Sequence, residues 1–197
     1  MLPDTCRMAF KEWAVVVQAL ELGEQVLLLR KGGISEVGKH FRVEHDRFLL
    51  YPTLEHQKED LLKPTHRDSL ARLLAEGNDS GAITFGCWAE VERTIELSEE
   101  EQLQSLSPYH IWSDDYAHSR LRWKPRHPLT ALILRVYRLS SPEVVPYKPH
   151  FGGCRSWVDL EEEVALGSLT PVLDDARFAD QVRAIEDALN TTASPVA

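Results

Sequence analysis

The 197-residue chain is long enough for one domain with a full core, and its 43% hydrophobic and 27% charged residues are typical of a globular protein. A formal net charge of −9 argues against indiscriminate binding to a phosphate backbone, which needs a basic surface. The apolar runs are far shorter than a membrane-spanning helix, the N-terminus lacks a signal-peptide pattern, and the three cysteines form no CxxC motif. We therefore expect a cytoplasmic protein with reduced thiols and no membrane partner.

The first predicted element is a helix over about residues 9–22, after a loose lead-in over residues 1–8. Apolar residues recur there at helical spacing, and a glycine follows where a helix would stop; these residues are Phe10, Trp13, Ala14, Val17, Leu20 and Gly23. A hairpin is the alternative, because residues 15–17 are all β-branched valines. Residues 24–51 then predict two or three short strands with turns at their glycines.

The middle of the chain predicts helices around one long strand. Residues 61–76 carry leucines in a helical pattern between Pro64 and Gly77. Alternate residues are apolar over 81–95, which predicts a strand with one inward face; the inward residues would be Ile83, Phe85, Cys87, Ala89 and Val91. Ser98 and Glu101 have capping-box spacing at the start of a short helix, and residues 114–122 predict another.

The last third begins with residues 129–139, which are so apolar that they predict a strand buried on both faces. Residues 140–156 are dense in proline and glycine and predict irregular structure, whereas residues 174–190 have helical spacing. We expect an α+β fold, a small curled mixed β-sheet with flanking helices and a C-terminal helix. Residues 1–157 would form this domain, and residues 158–197 a C-terminal helical extension packed on it.

The first candidate site is the sequence Arg30-Lys31-Gly32-Gly33, where a predicted strand ends. Two cations beside exposed backbone N–H groups are an arrangement that holds a phosphate or a carboxylate. The alternative is a hairpin turn with solvated charges. The segment is not a Walker loop, because GxxxxGK[ST] is absent.

The second candidate site follows the next predicted strand, at Tyr51, His56 and Gln57. A histidine there would titrate near neutrality, and a glutamine amide has the groups to read a base edge. The alternative is a loop fastened by local hydrogen bonds.

The third candidate site interleaves basic residues with an aromatic residue over 120–127. An exposed Trp123 would stack on a nucleobase while Arg120 and Arg122 hold phosphate, and Lys124, Arg126 and His127 extend the cluster. The alternative is that Trp123 belongs to the core and the cations are its solvated flanks.

The sequence indicates neither a metal site nor a cofactor. His150 and Cys154 are spaced like half of a metal site, but no second pair completes it. No complete catalytic set is visible either, so the sequence does not decide whether the protein is an enzyme, and no catalytic residue can be assigned.

Several spaced motifs resemble the uncharacterised bacterial family catalogued as domain of unknown function 1802. They are RKGGI, YPTxEHQ, HIW, RLRWKP, HPLTALILRVYRL and GGCRSWVDL, and they cover roughly residues 9–160. Some members of that family look fused or adjacent to restriction-type endonuclease domains, so the resemblance implies a role near nucleic acid.

The order of predicted elements also resembles the PUA-like group of small β-barrels, which includes the ASCH and EVE domains. This resemblance implies a PUA-like β-barrel as the alternative to the curled mixed sheet, with a cleft that binds RNA, nucleotides or modified bases.

The leading hypothesis is a binding domain that recognises a nucleotide, or a base in nucleic acid, through a basic cleft lined by aromatic residues. It requires the two basic clusters to share one cleft, and it predicts that Arg30 and Arg120 serve binding and not folding. A small hydrolase or nuclease using His56, His127 or Cys154 is the alternative. A further alternative is a regulatory domain that contacts another protein through its acidic C-terminal part.

Overall fold

Seven strands form one mixed sheet, and five α-helices pack against it in the computed structural model, which describes residues 1–31, 43–77, 81–123, 128–153 and 155–192. The strands are β1 (Thr5–Trp13), β2 (Leu27–Arg30), β3 (Arg47–Thr53), β4 (Ala82–Leu97), β5 (Leu129–Pro146), β6 (Trp157–Ala165) and β7 (Leu169–Pro171). The helices are α1 (Ala14–Leu22), α2 (Pro64–Glu76), α3 (Glu100–Ser105), α4 (Asp114–Arg122) and α5 (Asp175–Thr192).

The strand order is β2-β5-β4-β3-β1-β6, with β7 paired to β5 outside this path. The β1–β3 pair is parallel and the other pairs are antiparallel. Within the described residues the path is open, since β2 and β6 at its two ends do not pair. The expected mixed sheet of an α+β fold is therefore confirmed, and the closed barrel is not formed.

The predicted helix over 9–22 is wrong in its first half, because β1 continues to Trp13 and α1 starts at Ala14. β1 pairs with β3 and β6 along its two edges, and its two faces are covered as well, since Ala9 and Phe10 are both fully buried, one in each apolar cluster. A strand that is covered on both faces loses its alternation, which is why its apolar spacing resembled a helix. The loose lead-in is also wrong, since β1 starts at Thr5.

The long strand β4 does not keep one face inward, as its alternation predicted. Its pairing with β5 shifts register between Phe85 and Cys87. Ile83 and Phe85 pack in one buried cluster, whereas Cys87 and Ala89 pack in the other. Between Phe85 and Cys87 of β4, the partner strand β5 runs from Glu143 to Arg138, and this irregularity turns the following side chains of β4 to the opposite face. The sheet therefore has an apolar cluster on each face.

The C-terminal part adds both strands and a helix to the sheet. β5 runs on to Pro146, so the irregular segment expected from residue 140 begins later than predicted. Residues 158–197 contain most of β6, which pairs with β1, and all of β7 and α5. The domain boundary near residue 157 stays a prediction. No helix among the described residues has the length and apolarity needed to span a bilayer.

Local signals placed the helix ends well. α2 begins with Pro64, and Ser113 caps α4 by accepting a hydrogen bond from the Tyr116 backbone N–H. The capping box of α3 uses Glu99 and Gln102, one residue later than the Ser98–Glu101 pair that its spacing suggested.

A buried histidine makes the stability of this fold sensitive to acid. His110 is buried, and neither of its ring nitrogens hydrogen-bonds to a described residue. Burial, with the nearby Lys63 ammonium, lowers the pKa of His110 from 6.5 to about 4. The folded protein therefore holds His110 neutral at a pH where the unfolded chain would bind a proton.

We expect this group to reduce the free energy of unfolding by about 2 kcal/mol between pH 8 and pH 5. The stability is fully present above the unfolded pKa of His110 and is lost as the pH falls toward the folded pKa. Urea unfolding of the wild type and of His110→Gln at several pH values measures the effect. The difference in free energy of unfolding between the two proteins should change as the pH falls below about 7. A difference that stays constant with pH would show that His110 does not titrate as proposed.

Candidate ligand-binding cleft

A cleft of about 420 Å3 opens where β1 and β2 end, beside the last turns of α4. The loop after β3 and the segment before β6 complete its walls. We call it the basic cleft. Its lining residues are Lys11, Glu12, Trp13, Arg30, Lys31, Thr53, Glu55, His56, Leu61, Tyr116, Arg120, Trp123, Gly153, Arg155 and Ser156.

The two basic clusters of the sequence meet in this cleft. Lys31 is buried, and its Nζ donates a hydrogen bond to the Leu121 carbonyl oxygen in the last turn of α4, 90 residues away in sequence. A cation at the C-terminal carbonyls of a helix also complements the helix dipole. Burial and the charge of Arg120 lower the pKa of Lys31. Lys31 thus fixes α4 against the end of β2.

Arg30 links β2, at one end of the open sheet, to β1, the strand next to the other end. Its Nη2 donates to the Lys11 carbonyl oxygen of β1 at 2.8 Å, and its Nη1 lies 3.3 Å from Glu12 Oε2. Its guanidinium also lies over the Phe10 ring, 4.4 Å from the centroid. β2 and β1 are separated by three strands in the order of the sheet, so the sheet must curl to bring these groups together.

Lys11 holds the segment that forms another wall of the cleft. Its Nζ donates to the carbonyl oxygens of Phe151 at 2.6 Å and Gly153 at 3.2 Å, and its backbone N–H donates to Ser156 at 2.8 Å. These bonds fix the backbone on both sides of Arg155, which lines the cleft. Lys11 is therefore a structural cation that also adds positive charge to the site.

Three aromatic side chains line the cleft. Trp13 and Tyr116 stack with ring centroids 5.3 Å apart and an interplanar angle of 29°. Trp123 is 37% exposed, and the Arg120 guanidinium lies 5.2 Å from its ring centroid. The Trp123 side chain is thus a partly exposed aromatic surface next to a cation.

The lining of the cleft has the opposite charge balance to the whole chain. Its described residues include five lysines and arginines but only two carboxylates, Glu12 and Glu55, in a chain whose formal net charge is −9. A concave site with excess positive charge concentrates anions at its surface. This arrangement suits a small anionic ligand.

Some of the residues singled out in the sequence lie elsewhere. Gln57 Oε1 accepts from the Val15 N–H at the start of α1, and its Nε2 donates to the Thr53 carbonyl oxygen, so its amide is engaged in the fold. Tyr51 is buried in the second apolar cluster, and burial raises its pKa to about 12. Arg122 pairs with Glu100 at 2.7 Å and lines an adjoining surface depression.

His56 does line the cleft, and its φ of +62° lies in the left-handed region that favours glycine. The cysteines among the described residues, Cys6 and Cys87, are buried with raised thiol pKa values, to about 12 for Cys87. The remaining sequence candidates lie outside the described residues; these are Gly32, Gly33, Lys124, Arg126, His127 and Cys154. Across the described parts of the chain, no three metal-ligating side chains form a group that would hold an ion.

The cleft residues that sequence reasoning missed include Lys11, Glu12, Trp13, Tyr116 and Arg155. Lys11 and Glu12 fall within the helix predicted over residues 9–22, where two neighbouring charged residues give no sign of a site. It would have stood out only if residues 5–13 had been identified as a strand, because a buried charged pair in a central strand needs partners.

The model of the family described as domain of unknown function (DUF1802) matches residues 9–184. No curated protein matches the sequence. The structure is similar to the crystal structure of an ASCH protein from Zymomonas mobilis, at 11% identity over 89% of this chain and 93% of that chain, with a TM-score of 0.44. A mutant of that protein gives 11% identity, 92% and 98% coverage and a TM-score of 0.41. Because the family model covers most of its length, the chain belongs to the DUF1802 family.

Proposed function

We propose that the basic cleft binds a nucleotide, either free or as one unit of a nucleic acid. The observation that carries the proposal is the meeting of Arg30, Lys31, Arg120 and Trp123 in one cleft, although these residues come from distant parts of the sequence. A phosphate needs the cations, and a base needs a flat apolar surface such as Trp123.

Different cations have different tasks in this proposal. Lys11, Arg30 and Lys31 are tied to backbone carbonyl groups of the fold, so they contribute positive potential. Arg120 and Arg155 form no salt bridge with any carboxylate in the described parts of the chain. Their guanidinium groups are therefore the ones that would contact a phosphate directly, and bidentate geometry makes such contacts strong.

The charge of the protein limits the kind of nucleic acid that fits. A chain of net charge −9 disfavours contact with a long duplex backbone, whereas one nucleotide held locally in the basic cleft is tolerated. The bacterial and cytoplasmic setting, and the link with restriction-type systems implied by the family resemblance, belong to the same proposal.

Arg120→Ala is expected to weaken nucleotide binding about 10- to 150-fold, since a hydrogen bond to a charged group contributes about 1.5 to 3 kcal/mol. Isothermal titration of the four ribonucleoside monophosphates and of a short single-stranded oligonucleotide, at low and moderate salt, measures the change. The matched control is Arg122→Ala, which removes the same side chain from the same helix but outside the cleft.

The control should bind like the wild type. Equal weakening by both substitutions would indicate a general charge effect and not a site at the cleft. Absence of binding by the wild type to any of these ligands at millimolar concentration would overturn the proposed function.

A further inference from the structure

Two buried polar atoms of opposite kind lie without hydrogen-bond partners in the lining of the basic cleft. Glu12 Oε2 and Arg30 Nε are both closed to solvent, and neither hydrogen-bonds to a described residue. They belong to one ion pair, in which Glu12 Oε2 lies 3.3 Å from Arg30 Nη1. Both residues line the basic cleft.

Neither side chain is free to turn toward another partner. Glu12 Oε1 accepts a hydrogen bond from the Trp13 backbone N–H at 2.7 Å, which fixes the plane of the carboxylate. Arg30 is fixed by the Lys11 carbonyl oxygen and by the Phe10 ring. The unpartnered acceptor and donor are thus held in place beside each other.

Such an arrangement destabilises the fold unless a ligand supplies the missing hydrogen bonds. A buried acceptor or donor without a partner destabilises the fold, and native proteins rarely keep one without a reason. The ion pair balances the charge of Glu12, so the carboxylate does not repel an anionic ligand from the cleft. What the pair still lacks is one hydrogen-bond donor and one acceptor.

We propose that Glu12 and Arg30 recognise the edge of a nucleobase that carries a hydrogen-bond donor next to an acceptor. This inference rests on the proposed function, because it places the base of the bound nucleotide at this pair. Because both atoms are closed to solvent without ligand, the base reaches them when the side chains that cover them in the cleft move aside. Glu12 Oε2 then accepts from the base N–H group, and Arg30 Nε donates to the neighbouring ring nitrogen or carbonyl oxygen.

The surroundings of the pair fit this orientation. Trp13, the residue after Glu12, forms an aromatic wall with Tyr116, so a base that points its edge at Glu12 has a ring beside it. Arg120 and Arg155 line the same cleft and are available for the phosphate. A sugar phosphate without a base would leave Glu12 Oε2 and Arg30 Nε without hydrogen-bond partners.

The test compares each ribonucleoside monophosphate with an analogue in which the edge donor that lies next to an acceptor is methylated and can no longer donate. The pairs are AMP with N6,N6-dimethyl-AMP, CMP with N4,N4-dimethyl-CMP, GMP with N1-methyl-GMP and UMP with N3-methyl-UMP. For the nucleotide that binds best, the analogue should bind about 10- to 100-fold more weakly, and so should ribose 5-phosphate. Equal dissociation constants within that pair would overturn the inference and leave the proposed function intact.

Glu12→Gln should reduce the preference for the unmodified nucleotide to less than about threefold, because an amide is a weaker acceptor than a carboxylate. Glu92→Gln makes the same charge change at an exposed position outside the cleft and should keep the full preference. The melting temperature of each variant is measured alongside. If Glu12→Gln does not fold, the nucleotide pairs on the wild type still decide the question, and a folded Glu12→Gln that keeps the preference would overturn it.

Discussion

Arg30→Ala is expected to lower the free energy of unfolding by about 3 to 5 kcal/mol, the usual cost of removing one partner from a buried ion pair. The substitution leaves the Glu12 carboxylate, which is 5% exposed, without its counter-charge. It also removes the hydrogen bond from β2 to the Lys11 carbonyl oxygen and the contact with Phe10. The sequence had suggested that Arg30 serves binding and not folding, and its 18% exposure is the reason to expect otherwise.

Urea unfolding followed by tryptophan fluorescence and circular dichroism measures this change. Arg122→Ala, an arginine lost from an exposed pair, is the control and should leave the urea midpoint almost unchanged. The double variant Glu12→Leu/Arg30→Met should be more stable than Arg30→Ala, because it leaves no buried charge unpaired. An unchanged midpoint for Arg30→Ala would show that the guanidinium does not hold the curled sheet.

Leu134→Ala should destabilise the protein by about 2 to 5 kcal/mol, the range for truncating a buried leucine. Leu134 lies in the buried first half of β5, is 0% exposed and pairs with Val91 of β4. Its backbone N–H also donates to the Val26 carbonyl oxygen at 2.8 Å. The substitution removes side-chain contacts within the main apolar cluster and leaves a cavity there, since the surrounding strands cannot close around the smaller residue.

The matched control for this experiment is Val144→Ala, which lies near the other end of the same strand and is 62% exposed. It should shift the urea midpoint little, because few contacts are lost at an exposed position. Similar shifts for the two substitutions would mean that Leu134 does not lie in a buried part of β5.

Elements with a strong local signal were predictable. α2 has a proline at its start, α4 has a serine cap, and α5 has a regular apolar face, so each was placed within a few residues. β5 was predictable because a long apolar run of mainly β-branched and aliphatic residues suits a strand covered on both faces. These signals come from residues that are close in sequence, so they can be recognised without knowledge of the fold.

Elements whose pattern depends on distant partners were not predictable. β1 is a strand because β3 and β6 pair with it, and nothing in residues 5–13 alone distinguishes it from an amphipathic helix. The irregular pairing between Phe85 and Cys87, where β5 runs from Glu143 to Arg138, places Cys87 on the other face of β4 from Phe85. Neither β1 nor the irregular pairing in β4 has a local sequence signal that outweighs the periodicity from which a helix and a one-faced strand were predicted.

The residues of the basic cleft fall into the same two groups, those with a local signal in the sequence and those without one. Arg30, Lys31, Arg120 and Trp123 stood out in the sequence because charged and aromatic residues flank predicted strands and helices there. Gln57 and Tyr51 stood out for the same reason, yet their polar groups serve the fold or lie in its core. Glu12 had no signal in the sequence, since a carboxylate among apolar residues is also what the polar face of a helix would show. Its burial follows only from the curl of the sheet.

Composition and local pattern thus established an α+β domain of acidic charge with basic clusters at the ends of its strands. The tertiary structure decided that two of those clusters share one cleft, that the Arg30 side chain is only 18% exposed, and that Glu12 forms an ion pair with it. The physical reason is that pairing and curvature act between residues far apart in sequence. The hydrogen bond from Lys31 to Leu121 spans 90 residues, and no periodicity within either segment encodes it.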